Sequence, residues 1–147
     1  MKTEPDECSI DDVLAASGRK TAWSGVRNYQ ARNFMRDGMQ LGDGVLFYHS
    51  SCAEPGIAGV AEVASQAYPD ASQFDRAGPY YDAKSEREDP RWVNVDVRAV
   101  RKTRLVPLSE LRKHKVLSKM ALLRPENRLS ITPVSATEWK YIIGKLL

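Results

Sequence analysis

Covalent staples are scarce in this chain: 147 residues hold two cysteines. Cys8 and Cys52 have neither the short repeated spacing of a metal site nor the count of a disulfide framework, which points to a reducing compartment. No apolar run is long enough to span a bilayer, and the first residues are acidic, unlike a secretory signal. A glycine-rich phosphate loop, a metal-ligand motif, internal repeats and low-complexity tracts are also missing. The expectation is one soluble domain over residues 1–147, intracellular and cytoplasmic, with no membrane contact, cofactor or metal. A chain of this length buries a core without staples.

The formal net charge is only +3, which does not by itself choose a partner. Its distribution says more. Residues 27–36 and 98–119 are rich in Arg and Lys, while residues 82–89 are acidic. Basic stretches suit nucleic-acid phosphates, although a solvated face is the plainer account of any charge run.

The most informative stretch is Trp23-Ser-Gly-Val-Arg-Asn-Tyr-Gln-Ala-Arg-Asn-Phe-Met-Arg36. Asn28 is placed to cap a short helix, and Gly38 stands where that helix stops. Ala31, Phe34 and Met35 share its core face; Tyr29, Arg32, Asn33 and Arg36 take the other. Aromatic rings beside arginines offer a flat surface for a base and charge for its phosphate.

The rest of the chain reads as α+β. Ser9 and Asp12 form a capping box ahead of Ile10, Val13 and Leu14, in a helix ending at Gly18. Residues 19–22 read as a connector. Leu41 to Val63 reads as a hairpin, with Val45 to Tyr48 buried on both faces and Gly59 at a bulge or close approach. Gln66 to Pro90 reads as a long ordered loop pinned by Tyr68, Phe74, Tyr80 and Tyr81. From Trp92 to Val100 a strand alternates, with Val93, Val95 and Val97 inward and Asn94, Asp96 and Arg98 outward. Ser109 starts a short helix after Pro107, and Leu129 to Thr132 reads as a strand. Ser135 and Glu138 box the last helix, Val134 and Trp139 staple it, and Trp139, Ile142, Ile143 and Leu146 form its apolar stripe.

The Trp23 to Arg36 stretch resembles the signature of the EVE domain. Lys2-Thr-Glu-Pro-Asp6, Gly42 to Ser50 running into Pro55 to Val63, and Tyr80-Tyr-Asp82 with Asp89-Pro-Arg-Trp92 and Val95-Asp-Val97 match it as well, as do Leu122-Leu-Arg124 and Arg128-Leu-Ser130. Family members usually carry apolar residues ahead of Lys2, so the first strand is either short here or begins upstream. The resemblance implies a PUA-like fold, a curved, barrel-like mixed sheet with short peripheral helices. It also implies binding of modified bases, notably modified cytosine in DNA, without catalysis. A weaker similarity links Lys2-Thr3, Ala22-Trp23-Ser24 and Val45 to Tyr48 to the YTH domain, a reader of methylated adenine in RNA. There the residue matching Trp23 walls the base, the one matching Ser24 contacts its exocyclic amine, and the strand matching Lys2 and Thr3 reads its edge. Residues 51–56 offer no second aromatic wall, so Tyr29 or Tyr48 stand as substitutes, with Ile57 or Leu123 as an apolar wall.

The expected base pocket therefore lies between the Trp23–Tyr29 segment and the end of the Val45–Ser50 strand. It comprises Lys2, Thr3, Trp23, Ser24, Asn28, Tyr29, Tyr48, His49 and Ser50, with Arg27, Arg32 and Arg36 on phosphate. DNA with a modified cytosine is the preferred partner and RNA the alternative. A nuclease using His49 with Lys2 or Tyr48, and a protein-interaction module, are the rivals. His49 and Cys52 lack a third orienting group, which argues against a nucleophile.

Overall fold

The computed structural model describes residues 1–125 and 127–147. Its organising strand is β3 (Gly44–His49). An unbroken apolar run must bury both faces of its strand. Val45 and Phe47 accordingly enter one core, while Leu46 and Tyr48 enter another on the opposite side. β4 (Gly56–Val63) returns antiparallel to β3. β6 (Val93–Pro107), fifteen residues long, runs antiparallel to β4. β1 (Lys2–Thr3) lies parallel to β3, and β2 (Lys20–Trp23) lies antiparallel to the first half of β6. The strand order is β1-β3-β4-β6-β2, with β5 (Tyr68–Pro69) pairing with the start of β6. The expected α+β class holds, and β1 and β2 are the outermost strands.

Two register shifts between β4 and β6 bend this pair. Gly59 sits at one of them. A Cβ there would fall 2.6 Å from Ile10 Cγ1 and 2.9 Å from the Arg101 carbonyl oxygen, so glycine lets helix and strand close on β4 together.

Both capping boxes form as the sequence dictates, although the first helix stops at Ala15 and Gly18 falls in a separate tight turn over Ser17–Arg19. In α1 (Ile10–Ala15) Ser9 Oγ accepts from the Asp12 N–H, and Asp12 Oδ2 accepts from the Ser9 N–H. Ile10 and Val13 anchor it in the first core. In α4 (Ala136–Tyr141) Ser135 and Glu138 repeat the pattern, and Val134 and Trp139 pack together against the second core. Asn28 Oδ1 accepts from the Ala31 N–H and starts α2 (Tyr29–Asn33). A wide turn over Phe34–Gly38 extends it, with Ala31 and Met35 buried. The fourth helix, α3 (Leu108–Leu111), follows β6 at once.

Four expectations are corrected. Residues 20–23 are strand, not connector, although only Trp23 of the four is buried. Leu129 to Thr132 is not a strand: Ile131 is buried, but the backbone bond recorded there is from the Lys2 N–H to the Ser130 carbonyl. Asn94 does not face outward; it is buried, beside its register partner Tyr68. The loop over residues 66–90 is ordered, but Tyr80 and Tyr81 are exposed and its pins are polar. Gln73 is fully buried. Its Nε2 donates to the carbonyls of Asp70 and Trp92, and its Oε1 accepts from Ser85 Oγ and the Trp92 N–H. Asp82 accepts from the Trp92 indole N–H at 2.8 Å.

Candidate functional site

Because β1 and β2 end the strand order, the sheet stays open between them. A cleft of about 620 Å³ occupies that gap, within the range of roughly 300–1,000 Å³ usual for ligand sites. Lys2 and Thr3 line it from β1, and Thr21, Ala22 and Trp23 from β2. Ser24 to Asn28 continue its wall, Ser50 and Ser51 close the end beyond β3, and Tyr80 and Arg128 to Ser130 arrive from distant segments. Glu4, Glu7 and Cys8 complete the rim. Of the twelve residues expected at the site, seven line this one cleft: Lys2, Thr3, Trp23, Ser24, Arg27, Asn28 and Ser50.

Trp23 is 8% exposed and meets the Phe47 ring edge-on at 5.8 Å, so most of the indole belongs to the first core. It offers the cleft only part of its surface. Tyr80, 43% exposed, offers more. Its ring lies directly on Gly25, where a Cβ would stand 2.9 Å from Tyr80 Cζ. Gly25 also holds φ +75, a conformation that favours glycine, and donates its N–H to Asp70 Oδ2 at 2.9 Å. Ser51 takes a positive φ of 52 where the chain leaves the cleft for β4. Burial lowers the Lys2 ammonium from its ordinary value. Burial raises the Cys8 thiol, helped by the Asp12 charge and opposed by a hydrogen bond with Thr21.

Arg27 turns inward. Its Nε and Nη2 donate to the Tyr80 carbonyl at 3.0 and 2.8 Å. Nη1 donates to the Val26 carbonyl and to Asp70 Oδ2, and Nη2 also to Ser72 Oγ. All five N–H groups of the guanidinium are thereby used within the protein. The group also stands 5.5 Å from the Tyr80 ring centre and 5.4 Å from that of Trp92. Burial works to raise the Asp70 carboxyl, but hydrogen bonds from Ser72, Gly25 and Arg27 outweigh it and hold the group below the usual carboxylate range. The Asp70–Arg27 pair is the strut that fixes Tyr80 over Gly25.

Five expected site residues lie elsewhere. The Tyr48 side chain is buried in the second core, on the far face of β3. His49 packs edge-on against Phe47, and its Nε2 accepts the Ile10 N–H at 3.1 Å at the start of α1. Tyr29 is 51% exposed and stacks on Trp92 at 4.8 Å. Arg32 caps Tyr29 and donates to Asn33 and to the Arg91 carbonyl. Arg36 makes a two-pronged pair with Asp37. The apolar walls expected from Ile57 and Leu123 belong to the second core; Val26 and Leu129 supply apolar surface to the cleft instead. Tyr80, Arg128 and Leu129 were missed as site residues, although Tyr80-Tyr-Asp82 and Arg128-Leu-Ser130 were among the matching stretches.

His49 carries a testable consequence. Its Nε2 accepts a hydrogen bond, so the folded state needs the neutral ring, and burial lowers its pKa against the opposing charge of Asp11. A base with a lowered folded pKa contributes stability above its unfolded value, near 6.5, and loses it as pH falls through the folded value. The gap in melting temperature between the parent and His49→Gln should therefore narrow from about pH 7 to about pH 5. A gap that widens on acidification would contradict this geometry.

Among the described residues no group of three His, Cys, Asp or Glu is placed to hold a metal ion, and no helix is long and apolar enough to cross a membrane. The family profile of the EVE domain matches residues 1–145. Thymocyte nuclear protein 1 of Gallus gallus is 42% identical, over 98% of this chain and 66% of that protein. The Homo sapiens protein is also 42% identical, over 98% of this chain and 71% of its own length. The chain thus spans about two thirds of these relatives. Among solved structures, human THYN1 protein in complex with 5-methylcytosine-containing DNA superposes with a TM-score of 0.91 at 42% identity, covering 98% of this chain and 94% of that one. A Pseudomonas syringae protein superposes equally well, with a TM-score of 0.91 at 43% identity over 98% and 95% of the two chains. The open-edged sheet, the cleft between its outer strands and these likenesses agree: the chain belongs to the EVE domain family.

Proposed function

We propose that this chain is a non-enzymatic reader of a modified base, foremost 5-methylcytosine or a further oxidised cytosine in DNA, acting as one domain inside the cell. The carrying observation is the cleft at the open edge of the sheet, walled by Trp23 and Tyr80, in a chain 42% identical to a domain crystallised with DNA containing 5-methylcytosine. An extruded base enters between these rings. Thr3, Ser24 and Asn28 supply polar groups for its edge; Asn28 Oδ1 is occupied by its cap, which leaves its amide N–H groups as the donors it can offer. Val26 and Leu129 provide apolar surface for a methyl group.

The magnitudes fit a reader with a modest methyl preference. Leaving the duplex stack costs a few kcal/mol. Base–aromatic stacking returns about 1–3 kcal/mol per ring. Burying one methyl adds roughly 0.8 kcal/mol, about fourfold in affinity. A binding panel of duplexes differing in one cytosine modification, with matched RNA strands as competitors, tests the reading. Equal affinity for every modification would end it, and preference for the RNA strands would move it to RNA.

The strut makes a sharper prediction. Because every Arg27 N–H is used inside the protein, Arg27→Ala should weaken binding by releasing Tyr80, not by losing a phosphate. Affinity should fall by about fivefold or more, as expected for a lost stacking partner. The dependence of log K on log salt should keep its slope, whereas a lost phosphate contact flattens it by about one unit. A flattened slope would return Arg27 to the phosphate role.

A further inference from the structure

The net charge of +3 hides a divided molecule. Residues 97–147 carry twelve Lys and Arg against three Asp and Glu, whereas residues 1–96 carry ten against sixteen. Within the positive part, Arg98, Lys102 and Arg104 are neutralised by Glu62, Asp11 and Glu110. Arg112, Lys113, Lys115 and Lys119 are all exposed and take part in no ion pair among the described residues. Their placement is fixed from below, because Leu111, Leu117 and Met120 of the same segment are buried in the second core. The Leu108 N–H also ties the segment to the Pro55 carbonyl at 2.9 Å.

This basic segment is joined to the cleft. The Ala121 carbonyl accepts from Asn127 Nδ2 at 2.7 Å, and the Asn127 carbonyl accepts from Lys2 Nζ at 3.2 Å. Lys2 lines the cleft. Around α2, by contrast, two of the three arginines are ion-paired, Arg27 with Asp70 and Arg36 with Asp37. Arg32 is in no ion pair among the described residues, but its N–H groups are engaged by Asn33 and the Arg91 carbonyl.

We propose that Arg112, Lys113, Lys115 and Lys119 form the surface on which the DNA backbone flanking the extruded base lies, an inference that rests on the base-reading proposal for the cleft. A base pulled from its stack leaves a duplex arm that must be held beside the cleft. Phosphate contacts do this without reading sequence, and they need unpaired cations on a rigid support. The segment has four such cations, whereas the α2 face has one, Arg32, whose guanidinium is already drawn onto Asn33 and the Arg91 carbonyl.

The experiment compares the parent, the triple variant Lys113→Ala, Lys115→Ala, Lys119→Ala, and the double variant Arg32→Ala, Arg36→Ala. Each is titrated with a methylated duplex of about 20 base pairs and with a trinucleotide centred on 5-methylcytosine, at about 0.1 M salt. The triple variant should lose at least about tenfold in duplex affinity, with a salt slope flattened by about two to three units. Its melting temperature and trinucleotide binding should stay at the parent values, and the double variant should bind the duplex within about twofold of the parent. Duplex binding by the triple variant at parent strength overturns the proposal while leaving the cleft reading intact. So does a duplex loss confined to the double variant, or equal loss of the trinucleotide in the triple variant. If the parent binds neither probe, both proposals fall and an acidic protein becomes the better partner for this surface. If the parent binds duplex without methyl preference and only the triple variant loses it, the surface stands and base reading falls.

Discussion

Trp23→Ala is expected to destabilise the protein by about 3–5 kcal/mol, the usual loss on truncating a buried large aromatic to Ala. The indole is 8% exposed and shares the first core with Phe47, Val95 and Val97. Domains of this size hold only about 5–15 kcal/mol in total, so the variant should remain folded with its reserve largely gone. The stacking term at stake, about 1–3 kcal/mol, is smaller than the packing term. Binding by Trp23→Ala must therefore be measured at a temperature where the variant is still folded. Trp23→Phe separates the terms: it retains much of the packing and part of the stacking, and should lose less of both. Tyr80→Ala is the contrasting change, because that ring is 43% exposed and should cost affinity with little stability. Denaturant unfolding beside the binding titration checks all three. A Trp23→Ala protein that loses under about 1 kcal/mol would show that the indole is not core. One that stays folded and binds methylated DNA like the parent would remove Trp23 from the site.

Gln73→Leu should be nearly as damaging, by a different route. The side chain is fully buried and closes four hydrogen bonds, to the carbonyls of Asp70 and Trp92, the Trp92 N–H and Ser85 Oγ. Leucine preserves the bulk and removes every partner at once. A buried polar group left without a partner costs about 1–3 kcal/mol, and some of the four will find water or each other. A net loss of about 3–5 kcal/mol in urea unfolding is the expected result. The same change loosens the turn that carries Asp70, so Arg27 loses its anchor and Tyr80 its position. Binding should then weaken even under conditions where the variant is folded. A loss within about 1 kcal/mol would mean that this polar cluster does not hold the loop.

These two residues mark where the sequence was informative and where it was not. The helices with capping boxes were legible because their signals span four residues: Ser9 to Asp12 and Ser135 to Glu138 need nothing distant. The double burial of β3 was legible as an unbroken apolar run. β2 was not, because one buried residue in four gives no alternation to detect. Leu129 to Thr132 misled in the opposite direction: it alternates like a strand, but its bonds are to the Lys2 N–H and the Asn127 side chain and form no ladder. At the site, Lys2, Thr3, Trp23, Ser24, Asn28 and Ser50 were reachable because the chain segments holding them end at the same gap. Tyr48 went astray through strand periodicity, since its side chain leaves by the face opposite Phe47. The inward turn of Arg27 and the place of Tyr80 at the cleft were both out of reach. What decides both is their contact across more than fifty residues, and no local pattern announces it.

The open gap between β1 and β2 has a further consequence, for association between copies of the protein. A sheet that does not close keeps two edges, and an exposed edge is a template on which another chain can add a strand. Here β1 has two residues, with the Lys2 N–H already donated to the Ser130 carbonyl, and β2 has four. Both are shorter than the five or six residues of a typical strand, so an added strand would gain few backbone bonds. Each also carries a lysine, Lys2 on one edge and Lys20 on the other, and a charged side chain on an edge strand disfavours edge-to-edge pairing. The protein can thus keep its sheet permanently open without inviting polymerisation.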